Sequence, residues 1–244
     1  MTRLAARILD IADTAGLAAD RVDAMYALYA AHYAACDRHR FGADLAAKDH
    51  VILLEDQGCL AGFSTVALFR HRTFAGPVQV LFSGDTVIDR SAWGEQVLSR
   101  SFAQLAGRLH ARDRATPLYW LLISKGHRTY RYLKLFAHRF HPHPAGRDAM
   151  LERLAAEIAV ARFGRDFDPV RGVIAFPQSR GHLRAELAQV PARIAARPEG
   201  AFFLQRNPGY EHGDELVCLA ELRPDNLRAA VRTAFLAGMT DGLA

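Results

Sequence analysis

A carboxylate stands where the pattern wants an apolar side chain. Asp85 lies in VQVLFSGDTVID, residues 78–89, which otherwise reads as a β-branched strand. There it can accept a proton, directly or through water, or pair with an arginine across a sheet. By period-two alternation Ser83 shares its face; it can bind an acceptor or water, or be a plain strand serine. The strand runs on to Trp93-Gly94 and an amphipathic helix. A helix that starts at a strand's end aims its free N–H groups at whatever lies there, which suits a phosphate or pyrophosphate. Lys125 and Arg128 frame the exit of a second apolar strand, LYWLLIS. They can meet phosphate or remain solvated charge. Tyr130 and Tyr132 follow on the next helix; two positions apart, they cannot share a helical face.

The elements that must position these residues are legible in outline. The opening RLAARILDIA is ambiguous between strand and short helix. From Ala19, Val22, Met25, Tyr26, Tyr29 and Tyr33 recur at helical spacing, with Asp20 placed to cap. HVILLEDQG and GCLAGFSTVALFRHRTF read as strands joined at Gln57-Gly58, and Gly76-Pro77 marks the next break. These runs predict an antiparallel meander that ends in the Asp85 strand. Val97, Leu98, Phe102, Leu105, Ala106 and Leu109 line one face of a helix from Ser91 to about Arg112. Strand, helix, strand at this length is a crossover, so the strands at 78–89 and 118–123 are expected to be parallel. Composition changes at HPHPAG, residues 141–146. Helices are expected near Ala149–Arg162 and Leu183–Ala196. Two strands, 201–206 and 215–221, are expected around an Asn-Pro-Gly turn, then a C-terminal helix.

Bulk properties narrow the class. With 244 residues, 50% of them hydrophobic, the chain can bury a substantial core. Its longest apolar runs are too short to span a bilayer, and residues 1–20 lack the apolar stretch of a secretory signal. Cys36, Cys59 and Cys218 are scattered and odd in number, which argues against a disulfide framework and fits a reducing cytoplasm. Cys59 and Cys218 read as small core residues. His138, His141 and His143 are interleaved with prolines and have no carboxylate or thiol nearby, so no metal is expected. The net charge is +5, yet only Lys48, Lys125 and Lys134 are lysines, and the arginines are spread among acids. That distribution is not the one-sided basic stripe of a nucleic-acid binder.

The order of elements from Val78 to Phe140 resembles the cofactor half of the GNAT superfamily, the acyl-CoA-dependent N-acyltransferases. Thr86-Val87-Ile88-Asp89 resembles the end of that family's fourth strand, Gly94 the first glycine of its V-x-P-x-x-R/Q-G-x-G-x-G/A turn, and Val97 and Phe102 the apolar positions of its helix. Arg90 stands where proline is common, Trp93 where Arg or Gln is common, and Gln96 and Leu98 where glycines usually sit. In the second half, Leu118–Leu122 resembles the next strand, Gly126 falls at the Asn and Thr129 at the small residue of N-x-x-A-x-x-L-Y, and Tyr132 is one place short of the usual tyrosine, which Leu133 occupies.

The resemblance implies an α/β (α+β) fold: a mixed central sheet flanked by helices, with an antiparallel meander, a β-α-β crossover and a C-terminal hairpin. Residues 1–244 then form one domain, with 141–200 a helical insertion. It implies that pantetheine pairs with backbone at Thr86, Val87 and Ile88, between parallel strands that splay apart. The pyrophosphate would sit on Trp93, Gly94, Glu95, Gln96 and Val97. Tyr132 would be the acid that protonates the leaving thiolate, with Tyr130 the alternative. Tyr210, Asp214 and Glu215 would border the acceptor, or be ordinary turn chemistry. The expected activity is transfer of an acyl group from acyl-CoA to a small-molecule or amino-acid-like amine, with no permanently bound cofactor. Alternatives are an acyl-carrier-protein donor, as in N-acyl amino acid and homoserine-lactone synthases, a non-catalytic GNAT-like binding domain, or an aminoacyl-tRNA-dependent transferase.

Overall fold

The structure, a computed structural model, describes residues 4–10 and 17–242. In chain order its main elements are β1 Leu4–Asp10, α1 Ala19–His32, β2 Tyr33–Ala34, α2 Arg38–Ala46, β3 His50–Asp56, β4 Cys59–Thr73, β5 Gly76–Ile88, α3 Val97–Arg112, β6 Leu118–Ser124 and α4 His127–Phe136. There follow α5 Ala149–Phe163, β7 Phe167–Asp168, β8 Val173–Ile174, β9 His182–Leu183, α6 Ala185–Ala188, α7 Ala192–Ala195, α8 Pro198–Arg206, β10 Glu215–Glu221 and α9 Ala229–Asp241. The ambiguous opening is a strand from Leu4; its residues 3, 11 and 12 lie outside the described part. Asp20 sits in the first turn of α1 but does not cap it.

The main sheet has the order β1-β3-β4-β5-β6-β10-β8-β7. β1, β3, β4 and β5 pair antiparallel. β5 and β6 are parallel from Gln79↔Leu118 to Ser83↔Leu122, as a crossover through α3 demands. β6 alternates strictly: Leu118, Trp120 and Leu122 join the core under α3, α4, α8 and α9, whereas Tyr119 and Leu121 face α5. Further along the α5 side, α1 and α2 set Met25, Tyr29, Phe41 and Leu45 against Val51, Leu53, Phe63 and Val87. Each face of the sheet is therefore covered by helices, and its central strands read as near-continuous apolar runs.

Several expectations on the C-terminal half are corrected. Residues 201–206 are not a strand but the body of α8, with Pro198 in the first turn and Phe203 buried. A short apolar run such as AFFL fits either state, and proline at the helix start decides it here. The C-terminal hairpin is consequently absent among the described residues, and β10 pairs with β6 on one side and β8 on the other. The segment 141–200 is also not purely helical. β7 and β8 extend the main sheet, and β9 forms a two-stranded sheet with β2. The expected long helix near 183–196 is two short ones, α6 and α7, separated by Pro191. Among the described residues no helix is long and apolar enough to cross a membrane.

Candidate active site

The β4–β5 ladder runs from Thr73↔Gly76 to Val66↔Ser83 and resumes one residue out of step at Ser64↔Thr86. Gly84 and Asp85 together oppose Thr65, which is a β-bulge. A Cβ on Gly84 would stand 2.6 Å from both Lys48 Cε and Thr65 Oγ1, so glycine is what allows the buried Lys48 to cross the bulge. The extra residue also changes which face follows. Ser83 is buried on the α3–α4 side, where its hydroxyl accepts from Trp120 Nε1 at 2.9 Å. Asp85 is half-buried on the opposite side. The expectation that Ser83 and Asp85 share a face is corrected: alternation fails across a bulge, and Ser83 does not reach the site.

A cavity of about 470 Å³ opens over the bulge. Tyr29 of α1, Tyr33 of β2, Asp85, Lys125, Arg162 of α5 and Glu215 of β10 contribute to its walls. Lys125 Nζ lies 2.9 Å from Glu215 Oε1 and 5.5 Å from the centroid of the Tyr33 ring, which stacks on Tyr29 at 4.6 Å. Burial alone would lower the Lys125 pKa, but the Glu215 carboxylate outweighs it and holds the amine as ammonium. Burial pushes Tyr33 up to about 12 and Tyr29 higher still, so both phenols keep their protons. Asp44, the other acid near the bulge, is taken by Lys48.

Among the described residues the Asp85 carboxylate has no hydrogen-bond or ion-pair partner. Burial raises its pKa to about 6; Lys125 and Lys48 pull it down, and Asp44 and Glu215 push it up. An unpartnered carboxylate poised near neutrality in a cavity is equipped to take a proton.

The parallel ladder between β5 and β6 ends at Ser83↔Leu122, although β6 continues to Ser124 against β10. Beyond the bulge, Gly84–Ile88 therefore leaves β6, and two parallel neighbours splay into a cleft beside the Asp85 cavity. The fold is GNAT-like.

Neither a protein-family model nor a curated protein sequence matches the chain. Among solved structures it is similar to a probable N-acyltransferase from Enterococcus faecalis, at 12% identity and TM-score 0.41, over 57% of this chain and 33% of that one. This chain thus matches a third of that protein's length. It is similar to a GNAT family N-acetyltransferase from Escherichia coli in complex with CoA, at 11% identity and TM-score 0.38, over 56% and 69% of the two chains. An acetyltransferase from Trypanosoma brucei matches at 20% identity and TM-score 0.35, over 56% of this chain and 95% of that one.

On the cleft's far side the GNAT-like turn differs from expectation. The α-helix begins at Val97, not Ser91, because Asp89 caps a separate 3₁₀ turn at Arg90–Ala92. The N–H groups of Trp93 and Glu95 are already spent on the carbonyls of Arg90 and Ala92. Gly94 adopts φ +95°, and Gln96 precedes the helix. The open amides are thus those of the first helical turn from Val97. Trp93 folds back so that its indole N–H donates to the Ile88 carbonyl at 2.9 Å, and the Arg128 guanidinium stacks on the indole at 4.8 Å. Val87 is buried in the core. Arg128 also donates to the Leu187 carbonyl, and Leu183 lies so close to Gly126 that a Cβ there would stand 2.8 Å from Leu183 Cδ1. Lys125 does not frame this turn; it points into the cavity.

The remaining expected residues divide sharply. Thr86 and Glu215 line the cavity. Tyr210 is buried and donates to Glu211, and Asp214 pairs with Arg171 at 2.7 Å; neither lines it. The structure does not bring Tyr130 or Tyr132 there either. His127, Tyr130, Leu133 and Phe136 form the buried face of α4; Tyr130 donates to the Pro142 carbonyl at 2.8 Å, while Tyr132 packs on Phe136. Thr129 is the α4 residue that reaches the cavity. Sequence reasoning missed Tyr29, Tyr33 and Arg162 as cavity residues. The tyrosines looked like the apolar stripe of a helix, which Tyr29 also is.

Proposed function

We propose that this chain is an N-acyltransferase of GNAT type, moving an acyl group from an acyl thioester to an amine, with Asp85 as the proton acceptor. The observation that carries the reading is Asp85 itself: a carboxylate without a partner, set by a bulge where two parallel strands part. The acceptor enters the cavity as an ammonium ion. Asp85 takes one proton from it, directly or through water, and the freed nitrogen lone pair attacks the thioester carbonyl carbon. The tetrahedral adduct collapses to an amide, and the carbon–sulfur bond breaks with its electron pair on sulfur. The thiolate then takes up a proton, and one proton is released to solvent overall. The Lys125 ammonium supplies positive charge beside the developing anion, and Tyr33 and Tyr29 are the phenol donors of the cavity. Acyl-CoA is the donor this reading favours, with its pantetheine along Thr86–Ile88 and its phosphates toward the first turn of α3.

The test is turnover of acyl-CoA donors against a panel of amines, by release of free thiol. Asp85→Asn is expected to lower kcat/KM by about 10²–10⁴-fold, the usual worth of a positioned base. In the wild type the rate should fall as pH drops through about 6, where Asp85 becomes protonated. A pH profile flat through that range, with Asp85→Asn as fast as wild type, would sink the assignment.

A further inference from the structure

The cavity carries a second kind of unpaired charge. At its mouth the Arg162 guanidinium lies over the Phe82 ring at 4.3 Å and the Phe69 ring at 5.0 Å. Among the described residues it has no carboxylate or carbonyl partner. The two acids that act on it, Asp44 and Asp49, are engaged elsewhere: Asp44 by Lys48, and Asp49 by the backbone N–H of Leu68 at 2.7 Å. The aromatic faces fix the plane of the guanidinium and leave its N–H edges free, the arrangement that suits bidentate capture of a planar anion. Arg40, on α2 across the cavity, likewise offers a guanidinium with no partner among the described residues.

Phe82, on which Arg162 rests, precedes Asp85 by three residues on β5, at most about 10 Å along the strand. The unpaired cation and the unpaired carboxylate thus line one cavity, the cation resting on a residue three positions from the carboxylate on β5. We propose that the acceptor is an amine that also bears a carboxylate, its ammonium on Asp85 and its carboxylate on Arg162. This rests on the acyl-transfer reading for the fate of the amine, but the binding of such a molecule does not depend on it. The pairing explains why neither group is neutralised from within. Each leaves its charge to the ligand, so an amine that lacks the second group forgoes the charge-assisted hydrogen bonds to Arg162.

Calorimetry on the full chain without donor, with 4-aminobutanoate, 5-aminopentanoate and the alkylamines of matching length, tests this. At least one ω-amino acid is expected to bind tenfold or more tightly than its alkylamine. Arg162→Met keeps the stem's packing on Phe82 and should bring the two within about twofold; Arg165→Met, outside the cavity, should keep the wild-type ratio. Melting curves establish that each variant is folded. Equal binding of both ligands, no binding of either, or a preference that survives Arg162→Met overturns the proposal. If the amino acid binds as expected but no donor acylates it, the acyl-transfer reading fails and the ligand assignment stands.

Discussion

Asp85 is costly to the fold that holds it. Its pKa is about 6 in the folded chain against 3.8 in the unfolded one, so the folded state prefers the protonated form. Between these values the folded chain binds more protons than the unfolded chain, and stability falls as pH rises through the window. The deficit is complete once the pH is well above 6 and amounts to on the order of 3 kcal/mol. Asp85→Asn should therefore raise the Tm at pH 7.5 and leave it nearly unchanged at pH 4. Thermal melts of the two proteins at both values check this; a Tm gain of equal size at pH 4 would show that charge is not the cause. Asp85 was legible in sequence because a carboxylate interrupting an apolar strand has few uses. Ser83 and the tyrosines of α4 were not. Their side chains are chemically competent, and only the fold decides against them: the bulge turns Ser83 into the core, Tyr130 lies on the buried face of α4, and Tyr132 packs on Phe136.

Among the elements, the bulge in β5 does most to make a site. It ends the parallel ladder, exposes the strand edge and turns Asp85 into the cavity. Removing Gly84 would leave one residue opposite Thr65, and the later residues would keep their present faces, since alternation would then run unbroken from Ser83. A deletion of Gly84 should therefore fold, zip β5 further along β6, and lose thiol release from acyl-CoA. Crystallography of the deletion, with a CoA-binding titration, tests it; undiminished CoA affinity with the cleft closed would sink the link between splay and donor binding. α3, β6 and the parallel crossover were readable because their apolar periods are long and consistent. The start of α3 was misplaced by six residues because a capped 3₁₀ turn carries the same local signals as a helix start. The segment 201–206 was misread as a strand because four apolar residues in a row have no period.

Over the whole molecule, the cavity draws its walls from distant parts of the chain: Tyr33, Asp85, Lys125, Arg162 and Glu215. α3 and α9 anchor the opposite face with their backbones nearly touching. A Cβ on Gly107 would stand 1.9 Å from the Phe235 carbonyl oxygen, and one on Gly238 would stand 1.9 Å from that of Gln104. The position of β10 has a consequence for how such a chain comes into being. It is the last strand in the sequence but lies inside the sheet, between β6 and β8. While the ribosome is still making residues 125–214, the apolar edge of LYWLLIS at β6 has no partner, and β7 and β8 have no sheet to join. A nascent chain stalled at this stage presents an open strand edge of the kind that recruits other chains. A fragment ending at Asp214 should accordingly aggregate or bind holdase chaperones, whereas one ending at Asn226, which retains β10, should remain far more dispersed in light scattering. Equal scattering from the two fragments would mean that another element closes that edge during synthesis.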